Sequence, residues 1–341
     1  MGADAGMSVV LAGDVGGTKT NLGLFRWKGP RTLVALAVES FFSADFRGAD
    51  EMLAEFLKMR GQRAKPSAAA FGAPGPVRDG RVRGVNLPWP VNAEALAKVA
   101  GLRGAGLMND LVANARGLDA LKPRDFWTLN RGFCAPGGAR ALVSAGTGLG
   151  QAFAFWDGSR YRAVPSEAGH SDFGPRDRFQ IRLLEHLMKE YGHVSLERVL
   201  SGPGLHAIYA FLKKERFARE PRWLGEELDN GDPSAVIASS AIAGRSALCA
   251  RALEVFVEIY GAAAGNAALS GWATGGVFLG GGIAPKILPA LKRGGVFMRA
   301  FLDKGRHADH LARMPVRVIL NDRAALLGAA LAAGDRAKER L

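Results

Sequence analysis

A chain of 341 residues and 36.1 kDa is longer than one ordinary domain, so two lobes are expected. Apolar residues at 48% and charged residues at 23% exclude disorder, collagen and coiled coil, while 45 glycines, about 13% against a usual ~7%, suggest backbone wrapped closely around a ligand. Two cysteines, Cys134 and Cys249, are too few for a disulfide scaffold or an all-cysteine zinc site, and the net charge of +13 is spread along the chain. Its densest basic stretch, Lys213 to Arg222, is broken by Glu215 and Glu220 and lacks stacking aromatics. A solvated basic surface is therefore expected rather than a nucleic-acid site. Asp4 sits where a signal peptide needs positive charge, and Gly6 breaks the myristoylation pattern, so a cytoplasmic protein is expected. The uncharged stretch Ile259 to Pro285 changes midway from an Ala-rich helix to a buried strand and a Gly loop, which reads as soluble core rather than a membrane span.

The elements alternate from the start. Strands are expected over 8–13, 21–27 and 32–40, the first two joined by the turn Asp14-Val15-Gly16-Gly17-Thr18. Met52, Leu53, Phe56 and Leu57 have helical spacing within 49–59. A strand over 67–71, the loop 72–76, a helix over 93–100, a strand over 105–108 and a helix over 111–121 follow. The second half opens like the first, with strands over 140–144 and 151–155 flanking Gly146-Thr147-Gly148. Two copies of one unit would make two lobes facing a cleft. Helices around 177–190, 203–216, 234–245 and 246–269, strands over 275–279 and 316–320, and a helix over 324–333 complete the chain. The pattern implies mixed sheets flanked by helices. No low-complexity linker separates the halves.

Several segments carry chemistry. In Asp14-Val15-Gly16-Gly17-Thr18-Lys19, adjacent glycines let backbone N–H groups approach phosphate oxygens, and Asp14 beside them calls for Mg²⁺, directly or through water. The same pattern also suits an ordinary hairpin turn. Gly146-Thr147-Gly148-Leu149-Gly150 has dinucleotide-like glycine spacing, but strand-forming residues follow where that fingerprint needs a helix. Asp110 after Asn109 suits a helix N-cap, or a general base at a strand end. Glu167 and His170 flank a Gly turn, and Glu197 falls in an apparent helix start where the helix dipole favours an acid.

Taken in order, Gly13 to Thr18, Asn109-Asp110, Gly146 to Gly150, Glu167-Ala168-Gly169-His170, the run Gly192 to Gly204 with Glu197-Arg198-Val199-Leu200-Ser201-Gly202-Pro203-Gly204, and Gly275 to Ile283 resemble bacterial glucokinases of the actin-like ATPase superfamily. The resemblance spans residues 8 to 335. It implies a two-lobed, ribonuclease H-like α/β fold with an active-site cleft. A small lobe would cover 1–120 and be completed by the C-terminal helix 321–341, and a large lobe would cover 121–320. It further implies phosphoryl transfer from Mg-ATP to the 6-hydroxyl of D-glucose. Asp14, Gly16, Gly17 and Thr18 would form the first phosphate loop, Asp14 near Mg²⁺, and Gly146, Thr147 and Gly148 the second. Gly280, Gly281 and Gly282 would border the adenosine. Asn86, Asn109, Asp110, Glu167, His170 and Glu197 would hold or border the sugar, with Asp110 taking the hydroxyl proton. A homodimer is the family's default. Lys19-Thr20 departs from the Asn-Ala common in these glucokinases and looks like the related repressor–kinase–ORF sugar kinases, whose Cys-rich zinc motif this chain lacks after His170.

Overall fold

The computed structural model describes residues 8–60, 65–84 and 87–339. Two compact units divide the chain: Met1–Asp125 with Ala154–Pro165 and Asn321–Leu341, and Phe126–Phe153 with Ser166–Leu320.

The first unit is built on β1 (Ser8–Asp14), β2 (Lys19–Trp27) and β3 (Leu33–Phe42), then α1 (Ala49–Arg60) and β4 (Ala68–Ala73). A small ribbon, β5 (Arg81–Val82) with β6 (Val91–Asn92), precedes α2 (Ala93–Val99), β7 (Gly106–Asn109) and α3 (Asp110–Gly117). Its sheet has the order β3-β2-β1-β4-β7: β1–β2 and β2–β3 are antiparallel, β1–β4 and β4–β7 parallel. The period of two in a strand decides which face each side chain serves. Leu11, Leu22 and Leu24 join Met52, Leu53 and Phe56 of α1, whereas Val10, Ala12 and Phe25 face the opposite core.

The second unit repeats the arrangement. Its sheet is made of β8 (Phe126–Asn130), β9 (Arg140–Ala145), β10 (Leu149–Trp156), β11 (Tyr161–Ser166), β12 (Gly276–Gly280) and β13 (Val316–Ile319), of which the end of β10 and all of β11 but Ser166 fall within Ala154–Pro165 of the first unit. The sheet order is β11-β10-β9-β12-β13-β8, with β9, β12 and β13 parallel and β8 antiparallel at the edge. Only three residues join β9 to β10, which forces the chain to reverse as a hairpin, as between β1 and β2. Between β11 and β12 run α4 (Arg178–Tyr191), α5 (Gly202–Lys214), α6 (Arg222–Asn230), α7 (Pro233–Ile242) and α8 (Ala247–Gly271). Four short helices, α9 (Ile283–Lys286), α10 (Leu288–Lys292), α11 (Val296–Leu302) and α12 (Ala308–Ala312), lead to β13. The uncharged run from Ile259 is the buried half of α8. Gly261 and Gly265 let it meet the backbone of α11, where a Cβ would lie 2.2 Å from the Phe297 carbonyl oxygen and 2.6 Å from that of Phe301. Among the described residues, no helix is long and apolar enough to cross a membrane.

The chain ends with α13 (Ala324–Lys338), which belongs to the first unit. Leu326, Ala329, Ala330 and Ala333 of α13 cover the face of the first sheet that carries Val10, Ala12 and Phe25. Its contact with α3 is backbone on backbone: Cβ atoms built on Gly117 and Gly328 would lie 1.9 Å from the Ala324 oxygen and 1.7 Å from the Ala113 oxygen.

Candidate active site

In the first unit, the parallel strands β1, β4 and β7 deliver Asp14, the loop Gly72–Pro76 and Asn109-Asp110 at their carboxyl ends, where open α/β sheets bind ligands. Val15 donates its backbone N–H to the Gly72 oxygen at 2.8 Å, tying the first turn to the loop after β4. Asn21 donates from Nδ2 to Asp14 Oδ2 at 3.4 Å, and Ser40 Oγ steadies Asn21 by donating to its Oδ1 at 2.7 Å. Burial pushes the Asp14 carboxyl up to about 6, and the negative charges of Asp110 and Asp322 add to the rise against the opposing effects of Asn21 and Lys19. Asp322, just ahead of α13, was not among the residues the sequence singled out. The only signal there was an Asn-Asp pair before a helix.

Asp110 is not the cap of α3. Asn109 is: its Oδ1 accepts from the backbone N–H of Leu111 at 3.0 Å and of Val112 at 3.4 Å, and its Nδ2 donates to the Gly75 oxygen at 3.3 Å. Both lone pairs of Oδ1 are thus spent on the helix, and any further contact by Asn109 falls to Nδ2. Asp110 becomes the first helical residue, half-buried, with Oδ1 accepting from Leu111 N at 2.9 Å. Because Asn109 takes the capping task, a carboxylate stands at the positive end of α3 without being needed to start it. Asn86 lies outside the described residues.

In the second unit, the Gly146–Gly148 turn closes on itself through Gly146 N to the Gly148 oxygen at 2.8 Å, and Gly202 N of α5 donates to the Gly146 oxygen at 2.8 Å. Ser201 caps α5, accepting from Gly204 N at 3.1 Å while its Oγ donates to the Glu197 oxygen at 2.8 Å. Glu197 is the first-turn acid of a short 3₁₀ helix, Leu196–Arg198, which starts after Ser195 and does not run on as an α-helix. Its Oε2 accepts from Leu149 N at 2.9 Å, which sets the carboxylate against the glycine turn. A Cβ on Gly148 would lie 2.6 Å from that oxygen, and one on Gly169 would lie 1.9 Å from the Leu149 carbonyl oxygen. These two glycines are what bring Glu167-Ala168-Gly169-His170 and Glu197 to the same turn. Glu167 and His170 are exposed and 4.0 Å apart, an open pair able to accept and donate hydrogen bonds.

The third glycine segment stands beside the second. Gly280 pairs with Ser144 in the parallel register of β12 and β9, and Gly281, at φ 78°, passes so close to Ala145 that a Cβ would lie 2.2 Å from its oxygen. The Tyr260 hydroxyl donates to the Val143 oxygen at 3.2 Å and reaches the Gly280 oxygen at 3.5 Å, bracing both strands from α8. Each unit therefore gathers its candidate residues at the carboxyl ends of parallel strands: Asp14, Gly16, Gly17, Thr18, Asn109 and Asp110 in the first, and Gly146–Gly148, Glu167, His170, Glu197 and Gly280–Gly282 in the second.

Among the described residues no three acidic, His or Cys side chains form a metal-binding group. Mg²⁺ does not need one, since it keeps several waters and takes one or two carboxylates plus substrate phosphates. Asp14, whose carboxyl is raised to about 6 by burial and like charge, fits that requirement, because a nearby cation would favour its charged form and remove the repulsion.

Comparison with known proteins agrees with this layout. The family model described as Glucokinase matches residues 11–336. Glucokinase from Nostoc sp. is 38% identical over 340 residues, covering 96% of this chain and 99% of that protein, and glucokinase from Synechocystis sp. is 37% identical over 345 residues, covering 95% and 97%. Among solved structures, a glucokinase from an Antarctic psychrotroph superposes with a TM-score of 0.84 at 27% identity, over 96% of this chain and 99% of that one. A repressor–kinase–ORF family glucokinase from Streptomyces griseus, solved with glucose and AMPPNP, shares the fold at a TM-score of 0.62 and 19% identity, over 96% and 99% of the two chains. The architecture is that of the actin-like ATPase sugar kinases.

Proposed function

The chain belongs to the glucokinase family, and from that premise we propose that it transfers the γ-phosphate of Mg-ATP to the 6-hydroxyl of D-glucose, giving glucose 6-phosphate and ADP. The observation that carries the reading is Asp110. It opens α3 at the end of a parallel strand, beside the capping Asn109 and in the same unit as the Asp14 turn.

Phosphoryl transfer needs little covalent help from the protein; positioning and charge neutralisation supply most of the rate. Asp110 takes the proton of the 6-hydroxyl as its oxygen attacks the γ-phosphorus and the bond to the leaving ADP breaks. Asn109 Nδ2, Glu167, His170 and Glu197 read the remaining hydroxyls, and Asn86 borders the sugar. An analogue lacking one hydroxyl then leaves a polar partner unpaired, which is the basis of selectivity. The backbone amides of Gly16 to Thr18 and of Gly146 to Gly148 hold phosphate oxygens, and Gly280 to Gly282 border the adenosine. Mg²⁺, when bound near Asp14 through water, supplies charge neutralisation at the phosphates. The proposed homodimer and cytoplasmic location follow the family and add nothing to the chemistry.

A coupled assay across a sugar panel with Mg-ATP tests the proposal. The highest kcat/KM is expected for D-glucose. A higher value for N-acetylglucosamine or mannose would overturn the substrate assignment.

A further inference from the structure

Thr20 and Ser43 are hydroxyl residues with no solvent exposure, and both sit under the first glycine turn. Ser43 Oγ donates to the Gly16 carbonyl oxygen at 2.6 Å, so its single proton is committed. The 3.0 Å contact between Thr20 Oγ1 and Ser43 Oγ must then run from Thr20 to Ser43. Thr20 Oγ1 in turn accepts from Gly16 N at 3.4 Å. The result is a closed circuit: Gly16 N–H to Thr20, Thr20 to Ser43, Ser43 to Gly16 C=O. Both polar groups of Gly16 are held from inside, and a Cβ there would lie 2.5 Å from the Lys19 oxygen, so the residue has no room to turn over.

The consequence lies in the next peptide unit. No described peptide bond is cis, and in a trans peptide the C=O of one residue and the N–H of the next point in opposite directions. Drawing the Gly16 carbonyl inward aims the Gly17 N–H outward, where Gly17 is half-buried and Thr18 is exposed. Ser43 also donates its backbone N–H to the Thr18 oxygen at 2.9 Å. The Trp89 indole N–H fixes Ser43 from behind, reaching the Ser43 oxygen at 3.3 Å and the Phe46 oxygen at 3.0 Å. A buried hydroxyl is costly unless it is satisfied, and here each hydroxyl both gives and receives.

From this circuit we propose that Thr20 and Ser43 are positioning residues for nucleotide binding: they lock the Gly16–Gly17 peptide so that the Gly17 amide faces a phosphate oxygen. The inference rests on reading the Asp14–Thr18 turn as a phosphate loop. It gives a physical use to Thr20, one of the two positions at which the chain departs from the Asn-Ala of many glucokinases.

The test compares Thr20→Val, which keeps the shape and removes the hydroxyl, Ser43→Ala, and the conservative Thr20→Ser. AMPPNP affinity with Mg²⁺ is read by titration calorimetry, and KM for ATP, KM for glucose and kcat by coupled assay. Thr20→Val and Ser43→Ala should weaken AMPPNP binding and raise KM for ATP at least fivefold, with KM for glucose within twofold of wild type. Thr20→Ser should stay within twofold on every measure. Should Thr20→Val fail to fold, Ser43→Ala against Thr20→Ser decides the question. AMPPNP affinity within twofold of wild type in the hydroxyl-free variants, or equal losses for nucleotide and glucose, would overturn the inference. If the wild type itself binds no AMPPNP, the phosphate-loop reading falls and takes this inference with it. If it binds AMPPNP without phosphorylating glucose, the proposed function fails, while the positioning role is still decided by the AMPPNP affinities.

Discussion

Asp110 and Asp14 are both half-buried carboxylates at strand ends of the first unit, yet they call for different experiments. Asn at position 110 keeps the shape and loses the proton acceptor, so turnover should fall by roughly 10²–10⁴-fold. Glucose binding should survive within about tenfold, since one hydrogen bond remains possible. A variant keeping more than about a tenth of normal kcat would point to another base. Asp14, with its carboxyl raised to about 6, makes a prediction about pH. An acid whose folded-state value lies above its unfolded value stabilises the protein below the unfolded value, and that contribution is lost as pH rises through the folded one. Ligand-free protein should therefore lose stability between about pH 4 and 7 from this group, and Asp14→Asn should recover about 1–2 kcal/mol at pH 7, discounted for partial exposure. The same substitution should raise KM for Mg-ATP, and the wild-type KM for Mg-ATP should climb as pH falls below about 6. A flat KM–pH profile alongside an unchanged melting temperature in Asp14→Asn would remove Asp14 from cation binding.

At the scale of elements, the crossing of α3 and α13 is the contact least able to absorb a change. A Cβ on Gly328 would lie 1.7 Å from a backbone oxygen, so Gly328→Ala must push the helices apart. It should cost about 3 kcal/mol in chemical denaturation, at the upper end for overpacking. Gly174→Ala is the control: nothing lies within 4 Å of its Cβ, and the expected change is within about 0.5 kcal/mol. Equal effects from the two would show that the helix contact is looser than the geometry requires. Two strands absent from the sequence expectation share one feature. β8 and β11 are the two edge strands of the six-stranded sheet, and their alternation is blurred by exposed Trp127 and Val164 and by Pro165. A central strand is buried on both sides and prints a strong apolar signal; an edge strand prints half of one. The helix α6 was hidden in the same way within a charged stretch.

For the whole molecule, the proposed sugar contacts come from both units, Asn109 and Asp110 from the first and Glu167, His170 and Glu197 from the second. A single glucose engaging all five would favour a state in which the units are drawn together, by as much as its affinity for that state exceeds its affinity for others. Small-angle scattering should then show a smaller radius of gyration with saturating glucose than without. An unchanged radius, with unchanged protease sensitivity around 125–126, 153–154, 165–166 and 320–321, where the chain passes from one unit to the other, would count against bridging.

The amino-acid order by itself was enough for the central strands, the long helices, the three glycine segments and the family, because each depends on local pattern: a continuous apolar run in β1, apolar recurrence in α1, paired glycines at strand ends. It also placed Asp110 at the start of a helix. Capping by Asn109, the 3₁₀ turn under Glu197, the approach of Asp322 to Asp14 and the circuit through Gly16, Thr20 and Ser43, braced by Trp89, were decided only by the fold. Those contacts join residues that lie far apart in the chain, such as Ser43 to Gly16 across 27 positions and Leu149 to Glu197 across 48, or, for the cap, choose between neighbours that suit it equally. Local propensity carries no information about which distant partner will arrive. A buried polar group, however, must find one, and packing decides where.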